Sequence, residues 1–202
     1  MDITDIFVIR RRCLFFIAKF FILEYIKCNC KIDDGSLLMK EDVMSKFVTF
    51  NDNKYMIQLQ SILKSLKYYM KDDLSLEKVT TTGSFDGKYI GCQIMDGDQE
   101  IFFGISGEDE TLLEIASVFA RYEFDTFDED AYDAICELIN CVNGAMAVCL
   151  EDRDINCELK PPVFYCNISV SGRDSFCILD MKLKGLDFNI ILAVDDGIII
   201  SR

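Results

Sequence analysis

The order of predicted helices and strands is the feature that most constrains the fold of this chain. One helix is followed by two strands with an Asp-Gly turn between them, then by two helices and a run of strands that begins after Pro161-Pro162. A polar segment at Thr80–Ser84 predicts a loop. This order indicates an α+β fold with an antiparallel-rich β-sheet and helices packed on one face. The predicted helices span 53–70, 106–121 and 129–150, and the predicted strands span 88–94, 99–105, 163–170, 175–182 and 188–194.

The charge balance and the missing residue types narrow the possible chemistry. The chain has 202 residues with 21 basic and 35 acidic side chains, a net charge of −14. This excess of acid argues against a nucleic-acid binder that neutralises phosphates. Histidine is absent, which excludes Ser-His and Cys-His nucleophile pairs and histidine-ligated zinc. Any chemistry must rest on carboxylates, amides, hydroxyls, thiols or lysines.

The ten cysteines lack the spacing of a metal or disulfide framework. No C-x-x-C pair occurs, and most of the thiols lie in apolar runs, where a cysteine acts as a small core residue. We therefore expect no metal site in this chain. Free thiols in this number indicate a reducing compartment, so the expected location is the cytoplasm.

Residues 1–40 form an N-terminal extension that differs from residues 41–202. Its first 31 residues hold six basic and three acidic side chains and include an intensely apolar stretch at Cys13–Ile26. The favoured interpretation is a packed or amphipathic helix, with contact to a membrane through residues 1–31 less favoured. A transmembrane span or signal peptide is disfavoured because Lys19 interrupts the apolar run. A natural start at Met39 or Met44 stays open.

The predicted helix at 129–150 places an unusual set of polar residues on one stripe. At 100° per residue, Asp133, Glu137, Asn140 and Gly144 fall together, opposite an apolar face. Asp133 and Glu137 are like charges four residues apart, which destabilises a helix. Glutamate and lysine would suit simple solvation better. A solvated helix face with no function remains the alternative interpretation of this stripe.

The run Asp133–Gly144, followed about twenty residues later by Pro161-Pro162, resembles the CheC/CheX/FliY family of chemotaxis phosphatases. The hairpin at 91–105 and the helix that contains Glu114 also look like this family, and the resemblance covers about residues 54–195. The earlier helix has Ser117 where a second site would have asparagine. One E-x-x-N site makes the chain most similar to CheX, whose members form homodimers.

The resemblance implies a phosphatase that hydrolyses the aspartyl phosphate of a CheY-like response regulator. Glu137 and Asn140 would be catalytic, Glu137 by pairing with a lysine of the regulator and Asn140 by a hydrogen bond to the attacking water. Asp133 and Gly144 would border the bound partner. The regulator would supply Mg²⁺, so this chain would need no cofactor of its own. The alternative is a non-catalytic module that docks a receiver domain or another signalling protein.

Overall fold

The computed structural model of the protein describes residues 53–70 and 74–201. The predictions for residues 1–40, including the helical extension and the domain boundary at residue 41, lie outside these residues. The described part is α+β, as predicted, with three helices and six strands. The helices are α1 (Asn53–Met70), α2 (Asp109–Ala120) and α3 (Glu129–Glu151). The strands are β1 (Leu74–Gly97), β2 (Ile101–Gly107), β3 (Cys157–Leu159), β4 (Val163–Leu183), β5 (Leu186–Val194) and β6 (Ile199–Ser201).

The six described strands form one sheet in the order β3-β1-β2-β5-β4-β6, and every recorded pairing in it is antiparallel. The two long strands, β1 and β4, also pair with each other along most of their length. The predicted hairpin is present, because β1 and β2 pair from Tyr89↔Gly107 to Met95↔Ile101. The antiparallel sheet expected from the sequence is thus confirmed.

Two predictions about the strands were wrong. Thr80–Ser84 is not a loop but part of β1, where its threonines pair with the second half of β4. Threonine is β-branched and favours a strand. The glycine in this segment, Gly83, coincides with a shift in the pairing register between Thr82 and Ser84. The predicted strands 163–170 and 175–182 are one continuous strand, β4. The turn that follows β4 lies at Lys184-Gly185, where both residues have positive φ.

The three described helices pack on one face of the sheet, which confirms the predicted layering. Helix α1 contributes a buried face at helical spacing, consisting of Tyr55, Leu59, Ile62, Leu66 and Met70. The main core joins this face to α2, α3 and the helix-facing side of the strands. A second buried cluster on the opposite side of the sheet contains only strand residues, among them Phe176 and Ile191.

Helix α3 lies at the centre of this arrangement. Gly91 on β1 allows its close approach, because a Cβ atom there would lie 2.8 Å from Ile135 Cγ2 and 2.9 Å from Ile139 Cδ1. By length and composition α3 could cross a membrane, but most of it is buried in the fold, as a core helix is. The packing against Gly91 fixes which face of α3 points away from the sheet and therefore where the polar stripe lies.

Candidate functional site

The candidate site lies on α3, whose start is fixed by local capping. The side chain of Asp128 accepts a hydrogen bond from the Asp130 backbone N–H at 3.1 Å, and Glu129 and Asp130 place negative charge in the first turn. Acceptors and negative charge at this end satisfy the free N–H groups and the helix dipole. The helix therefore begins at a defined residue, which sets the rotation of every later side chain on it.

Glu137 is a half-buried carboxylate in the middle of the stripe. Burial raises its pKa from the ordinary 4.5 to about 7, and hydrogen bonds from the side chains of Cys141 and Asn140 oppose that rise. The Cys141 thiol lies 3.9 Å from Glu137 Oε1. Among the described residues, none of the lysine or arginine ion pairs includes Glu137. The site thus presents a carboxylate that is desolvated without a described cation beside it.

Asn140 lies one turn further along α3 and is held from the sheet side. Its Oδ1 accepts a hydrogen bond from Gln93 Nε2 at 3.0 Å. The same Nε2 donates to the carbonyl oxygen of Lys160 at 2.7 Å, and Gln93 Oε1 accepts from Asn143 Nδ2 at 2.8 Å. Gln93 therefore joins Asn140 to the segment that precedes Pro161-Pro162. The structure brings Glu137 and Asn140 side by side, as helical spacing predicts.

The two predicted border residues lie at the two ends of the same stripe. Asp133 is exposed, one turn before Glu137. Gly144 is half-buried, one turn after Asn140. Tyr132 stacks on Phe164 with ring centroids 4.3 Å apart, next to Asp133. Solvent exposure therefore decreases along the stripe, from the exposed carboxylate to the half-buried amide.

The glutamate of the earlier helix, α2, lies in a different environment from Glu137. Its Glu114 carboxylate accepts from Lys184 Nζ at 2.6 Å. The Ser117 hydroxyl, at the position where asparagine would be needed, accepts a hydrogen bond from the Phe124 backbone N–H at 3.2 Å. Both groups thus have hydrogen-bond partners within the described part of the chain. Glu137 differs from Glu114 in having no lysine partner among the described residues.

The sequence analysis singled out neither Gln93 nor Asn143. Asn143 is fully buried and faces β1 instead of lying on the polar face of α3. Gln93 is 2% exposed and belongs to the side of β1 that faces α3. A polar residue between Gly91 and Met95, both on the same side of the strand by alternation, was the available signal. A buried amide needs partners, and here they are supplied by α3.

Three of the seven described thiols follow the expectation that they are core residues, whereas Cys136, Cys149 and Cys157 are half-buried and Cys166 is exposed. Cys92, Cys141 and Cys177 are buried, and burial raises the pKa of each thiol to about 12. Cysteines with such values are inert as nucleophiles at neutral pH. Within residues 53–70 and 74–201, His, Cys, Asp and Glu side chains form no group of three or more that could hold a metal ion.

Similar proteins have this fold. A CheC-like superfamily protein from Shewanella sp. PV-4 matches with 20% identity and a TM-score of 0.59, over 74% of this chain and 97% of that one. Chemotaxis protein CheX from Vibrio vulnificus matches with 18% identity and a TM-score of 0.58, over 71% and 99%. The CheX–CheY–BeF3–Mg²⁺ complex from Borrelia burgdorferi matches with 18% identity and a TM-score of 0.59, over the same shares. The described residues therefore have the fold of the CheC and CheX chemotaxis proteins.

The family comparison agrees with the fold. Residues 89–178 match the family of the chemotaxis phosphatase CheX. This segment contains β1 from Tyr89 onward, β2, α2, α3, β3 and most of β4. No curated protein matches the chain. The resemblance to the CheC/CheX/FliY family is thus confirmed over residues 89–178, the segment that contains Gln93, Glu137 and Asn140.

Proposed function

We propose that this chain is a phosphatase that hydrolyses the aspartyl phosphate of a CheY-like response regulator. The observation that carries the proposal is the pairing of Glu137 and Asn140 on one face of α3, with the carboxylate half-buried and without a described cation. The CheX family match over residues 89–178 supports the same activity. The fold shared with the CheX of a CheX–CheY complex supports a CheY-like protein as the partner.

Hydrolysis of an aspartyl phosphate requires an aligned water and neutralised charge more than covalent help from the protein. Glu137 would pair with a lysine of the regulator and so fix the orientation of α3 over the phosphoryl group. Asn140 would hold the attacking water through its neutral amide, which adds no negative charge near a phosphoryl transition state. Asp133 would contact the partner at the exposed end, and Gly144 would let its surface approach.

The remaining parts of the proposal concern the surroundings of the reaction. Mg²⁺ would be bound by the response regulator, and this chain would bring no cofactor. The protein would act in the cytoplasm, as a homodimer. Its net charge of −14 gives no general attraction to an acidic regulator. Recognition would therefore depend on local contacts such as the one made by Glu137.

The deciding experiment measures phosphate release from a phosphorylated CheY-like regulator with the wild type and with Asn140→Ala. We expect the wild type to accelerate release and Asn140→Ala to lower turnover by about 10²-fold while it still binds the regulator. Asn156→Ala is the matched control, because Asn156 is exposed in the loop before β3, away from α3's stripe. This control should keep full activity.

The same assay separates the two function classes. Binding of the phosphorylated regulator with no acceleration by the wild type would show a non-catalytic docking module. Equal turnover of the wild type and Asn140→Ala would remove Asn140 from the mechanism. Absence of both binding and turnover with several CheY-like regulators would refute the proposal as a whole.

A further inference from the structure

Gln93 is a buried glutamine that touches the site from the strand below it. It makes three side-chain hydrogen bonds, to Asn140, to the Lys160 carbonyl and from Asn143, at 3.0, 2.7 and 2.8 Å. It is 2% exposed. A buried amide that saturates its donor on two acceptors has little freedom to turn, because any rotation would leave polar atoms without partners.

The main-chain carbonyl of Lys160 determines the orientation of the whole network. A carbonyl oxygen can only accept, so the Gln93 atom that faces it must be Nε2. Gln93 Oε1 then faces Asn143 and accepts a hydrogen bond from Asn143 Nδ2. Gln93 Nε2 also needs an acceptor on Asn140, and that acceptor is Oδ1. The direction of each amide thus follows from one backbone group. That group is itself held, because the Lys160 N–H donates to the Ile94 carbonyl at 2.9 Å and two prolines follow.

Asn143 shows that this arrangement is retained against a cost to stability. Its side chain is fully buried, and Oδ1 has no hydrogen-bond partner among the described residues. An unpaired buried carbonyl is destabilising, and an apolar side chain at this position of α3 would avoid the penalty. The amide of Asn143 nevertheless supplies the donor that Gln93 Oε1 needs.

We propose that Gln93 is a positioning residue, which fixes the amide of Asn140 with Oδ1 turned to the sheet and Nδ2 presented beside Glu137. This inference rests on the proposed phosphatase function and specifies it further. With Oδ1 engaged, Asn140 meets the attacking water as a donor through Nδ2. Gln93 itself touches neither water nor regulator. Its effect is to exclude the flipped amide, in which an acceptor would face the water instead.

The test compares Gln93→Leu with Gln58→Leu in the phosphate-release assay. Gln58 is a matched control, because it is 1% exposed and donates to Gln99 Oε1 at 3.0 Å, on α1. Both variants lose a buried amide, but Gln58→Leu should lose less stability, because Gln58 Oε1 has no hydrogen-bond partner among the described residues; kcat is therefore compared on the folded fraction of each variant. We expect Gln93→Leu to lower kcat about tenfold with KM unchanged, and Gln58→Leu to keep the wild-type kcat. A kcat for Gln93→Leu equal to that of Gln58→Leu would overturn the inference.

The double variant Gln93→Leu/Asn140→Ala identifies the route of the effect. If Gln93 acts through Asn140, the double variant has the kcat of Asn140→Ala alone, because there is no amide left to orient. Multiplication of the two losses would show that Gln93 acts by another route. A wild type that binds the regulator without releasing phosphate would instead refute the proposed function, and with it a role for Gln93 in turnover.

A measurement on the unaltered protein covers the case in which Gln93→Leu does not fold. Side-chain amide NMR should show the Asn140 Nδ2 hydrogens close to the Glu137 side chain and away from the Gln93 Nε2 hydrogens. Close contact between the two sets of amide hydrogens would mean that Asn140 is flipped. That result would overturn the inference without reference to catalysis.

Discussion

Glu137→Gln is expected to stabilise the free protein while it removes the charge that the proposed function needs. The folded protein holds the Glu137 pKa at about 7 instead of 4.5, chiefly because the carboxylate is desolvated. At 1.36 kcal/mol per pKa unit, the ionised side chain destabilises the fold by up to about 3 kcal/mol well above pH 7. Glutamine keeps the shape and carries no charge, so this penalty disappears in the variant.

The raised pKa of Glu137 determines whether stability rises or falls with pH. Between pH 4.5 and about 7 the folded wild type binds more protons at Glu137 than the unfolded chain does. The contribution of this group to stability therefore falls as the pH rises through that window and is constant above it. The stability gap between Glu137→Gln and the wild type should widen by about 2 kcal/mol from about pH 5.5 to about pH 8.5.

Urea denaturation at these two pH values measures the gap. Glu123→Gln is the matched control, because Glu123 is exposed in the loop between α2 and α3. Its stability should stay close to that of the wild type, because the side chain is exposed. A pH-independent gap for Glu137→Gln, or a variant less stable than the wild type at pH 8.5, would refute the argument that Glu137 is held in a desolvated position.

Two further predictions concern the framework of the site. Gly91→Ala should destabilise the protein by about 1–3 kcal/mol in the same assay, since the new Cβ would meet Ile135 at 2.8 Å. Gly83→Ala is its control, because the nearest atom there is 3.7 Å away, and equal stability of the two variants would contradict the close approach of α3 to β1. A chain that begins at Met39 should fold and release phosphate, since the family resemblance starts after Met39 and the family match covers residues 89–178. An insoluble or inactive product would place residues 1–38 in the folded unit.

The sequence was sufficient where a local pattern decides the structure. Apolar residues at helical spacing predicted α1 and most of α3. The Asp-Gly sequence predicted the β1–β2 hairpin, although Asp96 and Gly97 lie in β1, paired with β3, and the turn lies at 98–100. The sequence was insufficient where pairing with a distant strand decides the local structure. Thr80–Thr82 belong to β1 because β4 pairs with them, and the local sequence does not indicate a pairing strand about a hundred residues away.

The site shows the same division. Helical spacing alone was sufficient to place Glu137 and Asn140 side by side. Neither the desolvation of Glu137 nor the hydrogen bond to Asn140 could be predicted, since both depend on which residues pack against α3. Gln93 lies 47 residues from Asn140, and their contact follows only once Gly91 brings the strand against the helix.

A pKa near 7 at Glu137 also predicts a proton release when the regulator binds. At pH 6.5, below its pKa of about 7, the Glu137 carboxyl is protonated in about three quarters of the free protein molecules. An ammonium group docked beside Glu137 favours the ionised form, so binding must expel the proton and should tighten as the pH rises toward 7. Calorimetry at pH 6.5 in buffers of different ionisation enthalpy should therefore detect up to about three quarters of a proton released per site, and Glu137→Gln should abolish that release. Equal proton release by the wild type and the variant would mean that Glu137 does not meet a cation in the complex, and the role proposed for it in recognition would be wrong.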